Sequence, residues 1–538
     1  MPDPSPLYSF HAFLFPFEWR PKLSDGLPLE SQTDLKRIYP VMDAAKDKWE
    51  RMAPWTQPQS LIQYNEANYF YDFVRPVLYG DEKGTFQVHY QHLKAKGAKY
   101  VITLESGASF KLELDSIGLS FYNSGVGVLS FHCYNRNHKE PGEILQINQF
   151  GRRLYPPFLA TDPEKVGTQE FFRDHDWQKG LKGVKKAELA QAIDLKIPGF
   201  TYQTENFNDW AVGAPNLEQT PGLLRQLLPP ALQSSLAISP VLDDRMFVVC
   251  WYGNDDYANS IDTRSFSTPS DKRDWWYKFV FVDGGGKTCQ NEEMTLKLLR
   301  EHSNLRWGDY GTLYGVSRYS FVCLTGSLDT LKANNVAYIP THIQTNYFKL
   351  AELALLQRGC VLRFSDEVTA ISDLPKNNRA LDAHVSSLYK QYIRFVNKIY
   401  FREVTAQEQG IELYDLLQKH MRIESQVKDL EKEVGELHQY VMLLEENRRN
   451  EKLDILTYIG AFFVIPSFLM GYLGINAFNE RTKPESGDII LTLAVSIAIG
   501  ALMLIGLRQS GFLRWLLLAL TLAIVAWFML FAADWIMY

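Results

Sequence analysis

The sequence predicts an α/β or α+β N-terminal cytosolic domain, a long-helix coiled-coil stalk and a C-terminal α-helical transmembrane domain. Three observations predict it. Strand-like runs alternate with helical ones up to about residue 340. Leu413, Leu416, His420, Ile423, Val427, Leu430, Val434, Leu437, Val441 and Leu444 recur in steps of three and four, the seam of a left-handed coiled coil. From Leu453 the chain turns apolar, and its first run of roughly 24 residues can cross a bilayer core at about 1.5 Å per residue. The expected organisation is a sensor-like domain at 1–340, long helices at 345–403, the stalk at 406–452 and a membrane domain at 453–538. Three spans, 453–477, 489–507 and 512–536, are expected in the last part.

Composition narrows the function. Over 538 residues the net charge is −6, which excludes a strongly basic nucleic-acid binder, so no direct nucleic-acid contact is expected. Cys133, Cys250, Cys289, Cys323 and Cys360 form no CxxC pair, which argues against a zinc site and a disulfide scaffold and suits a reducing cytosol. The apolar run Phe10–Trp19 is broken by His11, Pro16 and Glu18 and lacks the basic lead of a signal peptide. The histidines form no HxxxH or HExxH, and no nucleophile–base signature is present, so no catalytic residues are expected and the chain is read as a non-enzyme.

In chain order, His11–Phe15 reads as a buried strand and Leu35–Met52 as an amphipathic helix. Tyr100–Leu104, Phe110–Leu114 and Gly127–Phe131 read as strands between Gly/Ser turns, and Glu143–Phe150 as a helix. Few elements can be placed in 160–240. Strands are expected at Met246–Trp251, Trp275–Val282 and Tyr319–Leu324, and helices at Asn291–His302 and Leu328–Asn334. Asp283-Gly284-Gly285-Gly286-Lys287-Thr288 ends like a phosphate loop, but Phe281 stands where the motif needs its first glycine, so a hairpin turn is expected instead. Helices at Tyr347–Ile371 and Asn377–Phe401 follow, separated by Pro375. One unbroken rod is then expected from Ile411 to Asn476, packed against copies of itself outside the membrane.

Arg448, Arg449 and Lys452 precede the first span, and Arg508 and Arg514 sit between the second and third. The positive-inside rule therefore places the N-terminal domain in the cytosol of a multi-pass protein of the inner (plasma) membrane.

The long stalk, Leu456-Thr457 where it meets the membrane, Pro466 within the first span and Gly474-Ile475-Asn476 at its outer end resemble the CorA family of metal-ion transporters and channels. That family carries Gly-Met-Asn where this chain has isoleucine. The resemblance spans about residues 345–510 and implies a homopentamer in the lipid bilayer, with the stalk and first span lining a pore. It places Asn476 at the outer mouth, touching a hydrated divalent cation such as Mg2+, which dehydrates reluctantly. By helical turns Leu469, Ile465, Phe462, Tyr458, Ile455, Glu451 and Arg448 would continue that face inward, with Ile455, Phe462 and Ile465 as an apolar constriction, and Gly474 of the motif is also expected at the pore. The arginines at the inner mouth, the isoleucine and a third span depart from the family pattern.

CorA-like membrane proteins also occur as effectors of type III CRISPR antiviral systems, where a nucleotide second messenger, an S-adenosylmethionine–AMP conjugate, acts on them. The large aromatic-rich N-terminal domain suits such a sensor. Arg152 and Arg153, and the stretch carrying Arg306, Trp307, Asp309, Tyr310 and Arg318, have the arginine and aromatic groups that hold phosphate and adenine. An interface or core loop explains the same residues. The functions expected are thus a channel gated by its cytosolic domain as an antiviral effector, a magnesium-type transporter with no defence role, or a structural anchor whose coiled coil only clusters partners.

Overall fold

The computed structural model describes residues 6–22, 33–54, 60–81, 86–154, 190–204, 221–372 and 381–476, apart from 105, 243–244, 262–263, 265 and 267–269, with isolated positions beyond 476. The second and third expected spans therefore fall, but for those positions, outside the described residues. The chain divides into two units, 1–438 and 439–538.

The first unit is built on one sheet. Its strands are β1 (Ser9–Pro21), β2 (Trp49–Arg51), β3 (Gln87–His92), β4 (Lys99–Leu104), β5 (Ser109–Tyr122), β6 (Val126–Asn135), β7 (Ala190–Ile197), β8 (Phe200–Gln203), β9 (Leu236–Pro240), β10 (Phe247–Gly253), β11 (Ser303–Asn304), β12 (Leu313–Ser317) and β13 (Ser320–Thr325). Their order is β11-β12-β13-β10-β1-β6-β5-β4-β7-β8, with β2–β3 attached to β5 and β9 to β1. The β10–β13 pair is parallel and the other pairs are antiparallel. The main helices are α1 (Pro141–Gly151), α2 (Gly222–Leu227), α3 (Pro230–Ser235), α4 (Asp271–Phe281), α5 (Glu292–His302), α6 (Asn346–Ser372), α7 (Leu381–Lys398), α8 (Glu408–His420) and α9 (Ile423–Asn476).

The strand expected at His11–Phe15 is the middle of β1, which pairs with β10 on one side, β6 on the other and β9 at its far end. Phe13, Phe15, Phe17 and Trp19 are essentially inaccessible. Gly127 lets β6 run against them: a Cβ there would meet the Phe17 ring at 2.3 Å. The Phe110–Leu114 strand is longer than expected, because a register shift between Leu114 and Ser116 lets β5 continue to Tyr122 and pair with β3.

Three expectations are corrected. Trp275–Val282 is not a strand but the bulk of α4. Ser270 caps it by accepting from Arg273 N, Asp271 and Asp274 occupy its first turn, and Trp275, Trp276, Phe279 and Val280 form a buried stripe at helical spacing. The glycine run after it is accordingly a helix end, with Val282 left-handed at φ 57°, and not a hairpin turn. Leu35–Met52 is not one helix: a 3-10 turn at Leu35–Arg37, a short helix at Tyr39–Asp43 beginning with Pro40 near its start, and strand β2 share the stretch.

The rod is interrupted. α8 ends at His420, Arg422 takes φ 57°, and α9 starts at Ile423. No glycine or proline marks the break, which is held by Met421 and Arg422 amides bonding back to Leu417 O and Lys419 O. The seam is also filled differently. Ile423, Val427, Leu430 and Val434 are buried within the single chain, where α7 lies alongside and Tyr389 stacks on His438 with ring centroids 4.4 Å apart. A buried network of Gln357, Tyr414 and Gln418 ties α6 to α8, with Gln357 Nε2 also donating to Ile399 O at 2.8 Å.

Among the described residues no helix is long and apolar enough to cross a membrane. The first expected span, 453–477, falls at the end of α9, whose Leu453, Ile455, Leu456, Ile459, Phe463 and Val464 are exposed in the single chain.

Burial holds His11 and His132 neutral down to about pH 4 and His89 to about 3. His11 is fully partnered in that form, with Nδ1 2.7 Å from Asn148 Oδ1 and Nε2 2.8 Å from Ser9 Oγ. Their folded-state values lie below the ordinary 6.5, so this stability is complete above pH 6.5 and is lost as pH falls toward 4. Each histidine contributes on the order of 3 kcal/mol, and thermal melts from pH 7 to 4 will show a steep loss shallower in His132→Gln. At the rod break, Arg422→Gly removes a left-handed non-glycine residue, and calorimetry will show the melting temperature unchanged or raised, by up to about 1 kcal/mol of stability.

Candidate functional site

Arg152 ends α1 and is buried, as α1 closes against the sheet with Pro141 at its first position and a Glu140/Glu143 capping box. Its Nη2 donates to Val282 O at 3.4 Å, so the left-handed end of α4 fixes one side of the guanidinium. Its backbone carbonyl accepts from Met246 N at 2.8 Å, and Arg153 bridges to Arg245 just before β10.

The tight turn between β12 and β13 brings Tyr319 to this point, and Tyr319 O accepts from Val248 N at 2.9 Å. Three guanidinium groups surround its ring: Arg245 at 5.1 Å from the centroid, Arg152 at 5.8 Å and Arg358 at 5.9 Å. Arg358 comes from α6 and donates to Arg318 O at 3.0 Å. Arg318 Nε is buried and makes no hydrogen bond among the described residues. Asp283, beside Arg152, has its carboxyl pushed above the usual carboxylate range by burial, while two hydrogen bonds from Thr288 and the Arg152 charge pull the other way. Arginine forks and an aromatic ring are the groups that hold phosphate oxygens and stack on a flat ring.

The structure thus brings together Arg152, Arg153 and Arg318 of the sequence-predicted ligand residues. It sends the others elsewhere. Arg306 Nε lies 3.1 Å from each carboxylate oxygen of Glu412, with Glu408 at 3.8 Å, and Trp307 Nε1 donates to Gln409 Oε1 at 3.2 Å. Asn304 donates to the same Glu412 at 2.7 Å. Arg306 and Trp307 therefore dock the loop onto α8, the interface explanation of these residues. The Arg306 hydrogen bonds also hold the Glu412 carboxyl below its ordinary range. Asp309 and Tyr310 are exposed beside them.

Sequence reading missed Arg245, Arg358 and Tyr319. An arginine inside the apolar face of a buried helix was the available signal for Arg358, because such a residue is kept there only when its charge is used. His420, expected to pack in the seam, stacks on His302 with centroids 3.6 Å apart, and its Nε2 lies 3.0 Å from Glu301 O. Burial and then the neighbouring His302 hold its pKa down to about 4. No group of three or more metal-ligating side chains occurs among the described residues.

The residues expected to line a pore all lie on α9; 3.6-residue periodicity puts Arg448, Glu451, Ile455, Phe462, Ile465 and Asn476 on roughly one face, while Gly474, two residues before Asn476, falls on the opposite one. Glu451 and Ile455 are exposed; the side chains of Phe462, Ile465, Gly474 and Asn476 fall outside the described residues.

Residues 365–509 match the family model described as CorA-like Mg2+ transporter protein. This segment of the chain is CorA-like. No curated protein and no solved structure matches the chain. The CorA-like segment takes in the end of α6, then α7, α8 and α9, and stops before the third expected span. It leaves the sheet and the arginine cluster upstream of it, with Arg358 only two helical turns before its start.

Proposed function

We propose that this chain is a homo-oligomeric divalent-cation channel or transporter of the CorA type. The match over residues 365–509 carries the reading, since it covers the stalk helix and the first two apolar runs. The exposed Leu453, Ile455, Leu456, Ile459, Phe463 and Val464 support it, because such a helix surface requires lipid or further copies to cover it. In this reading α9 lines the pore of a pentamer in the inner membrane, the large N-terminal unit stays in the cytosol, and Asn476 meets the hydrated ion. Amide oxygens hydrogen-bond to its water shell without stripping it. No catalytic step is involved.

The cluster around Tyr319 favours a ligand-gated version. A nucleotide messenger of the S-adenosylmethionine–AMP kind would set phosphate on Arg152, Arg245, Arg318 and Arg358 and a ring near Tyr319, and α6 would carry the effect from Arg358 toward the CorA-like segment. A pore opened that way would permeabilise the membrane, the action of a type III CRISPR effector; a transporter without a defence role needs no such ligand.

Purified protein in liposomes is expected to conduct Mg2+, and Asn476→Ala to change the flux several-fold; flux untouched by that substitution removes the asparagine ring. Calorimetry with S-adenosylmethionine–AMP is expected to show binding that Arg318→Ala weakens about tenfold or more, the ~1.5–3 kcal/mol of a hydrogen bond to a charged group. No heat with the wild-type protein would leave the plain transporter.

A further inference from the structure

A second charged cleft lies on another part of the same unit. β1 alternates strictly at its far end: Phe17, Trp19 and Pro21 are buried, while Glu18, Arg20 and Lys22 are turned the other way. Those three line a cleft of about 790 Å3 together with Arg225 of α2, Gln233 of α3, the β9 strand, and Leu362, Arg363 and Asp366 of α6. Its volume is that of a small-molecule site.

The charges in it are unequal. Arg20, Lys22, Arg225 and Arg363 face Glu18 and Asp366, with Glu367 beside Arg363, four cations to three carboxylates. Glu18 accepts a hydrogen bond from Ser239 at 2.6 Å. Arg363 is buried at the floor, where Nη1 donates to Ser124 O and Nη2 lies 3.4 Å from Glu367. It packs on Gly125, left-handed at φ 78°, where a Cβ would meet the guanidinium at 2.7 Å. The turn between β5 and β6 thus holds this cation rigidly. Ala237, Pro240, Val241 and Leu362 give the cleft an apolar wall. An excess of cations disfavours a metal ion or an amine, and arginine forks beside a lysine suit phosphate oxygens.

We infer that the cleft between β1, β9, the α2–α3 turn and α6 binds a phosphorylated small molecule. Arg20, Lys22 and Arg225 take the phosphate, Arg363 supplies fixed positive charge beneath it, and the apolar part lies against Leu362 and Val241. This goes beyond the pore and the Tyr319 cluster, and stands if either of those fails. It would also bring a ligand onto α6 at the point where the CorA-like segment begins.

The test is calorimetric titration of the full-length protein in detergent with ADP and, separately, with pyrophosphate. Both are expected to bind saturably, ADP more tightly because of its apolar contact. Arg20→Ala with Lys22→Ala, on the exposed face of β1, is expected to keep the melting temperature and weaken both ligands at least tenfold, whereas Arg20→Lys keeps most of the affinity. Arg318→Ala is expected to leave this binding intact. Absence of binding to the wild-type protein, binding unchanged in the double variant, or loss confined to Arg318→Ala would each overturn the assignment.

Discussion

The burial of β1 between its partner strands is the constraint on which the rest of the first unit depends. A strand hydrogen-bonded along both edges and buried on both faces from Ser9 to Phe17 cannot shift by one residue without moving Phe13, Phe17 and Trp19 to the opposite face of the sheet. Its register with β10 and β6 sets where α1 ends, because Asn148 of α1 is held by His11 of β1. That in turn fixes Arg152 beside the β12–β13 turn. At the other end, the same register with β9 puts Glu18 and Arg20 along one wall of the cleft. Both anion-suited sites are consequences of one strand's placement.

α6 is the second organising element. It is buried along most of its length, yet it carries Gln357, Arg358 and Arg363 within two turns. Charged and amide groups in such a position cost free energy unless each is partnered. Gln357 is used in the network with Tyr414 and Gln418, Arg358 reaches the Tyr319 turn, and Arg363 holds the Ser124 carbonyl. One rigid helix thus touches both arginine clusters and the helix that leads to the stalk.

Much of this was legible in the chain. The apolar runs at His11–Phe15, Tyr100–Leu104, Gly127–Phe131, Met246–Trp251 and Tyr319–Leu324 are strands, and the helices at 345–403 and the stalk are helices. The misreadings have physical causes. Trp275–Val282 is short and aromatic-rich, so apolar content alone does not separate strand from buried helix; the Ser270 cap and the acidic first turn did. At Leu35–Met52 Pro40 can only begin a helix, so Tyr39–Asp43 starts afresh after the 3-10 turn, and Trp49–Arg51 is drawn into pairing with β3. The break at Arg422 has no sequence mark, because an arginine takes the left-handed conformation only when surrounding packing makes it worthwhile.

Patterning that acts within one element could be read directly: strand alternation and the three-and-four spacing of a helix face are local, and each reports what its own segment must bury. Which distant residues meet could not. The α7 cover on the seam, the docking of Arg306 onto Glu412, and the gathering of Arg152, Arg245 and Arg358 around Tyr319 all join residues far apart in the chain. Such contacts are set by how the sheet and α6 pack, and charge can be assigned a purpose only once its neighbours are known.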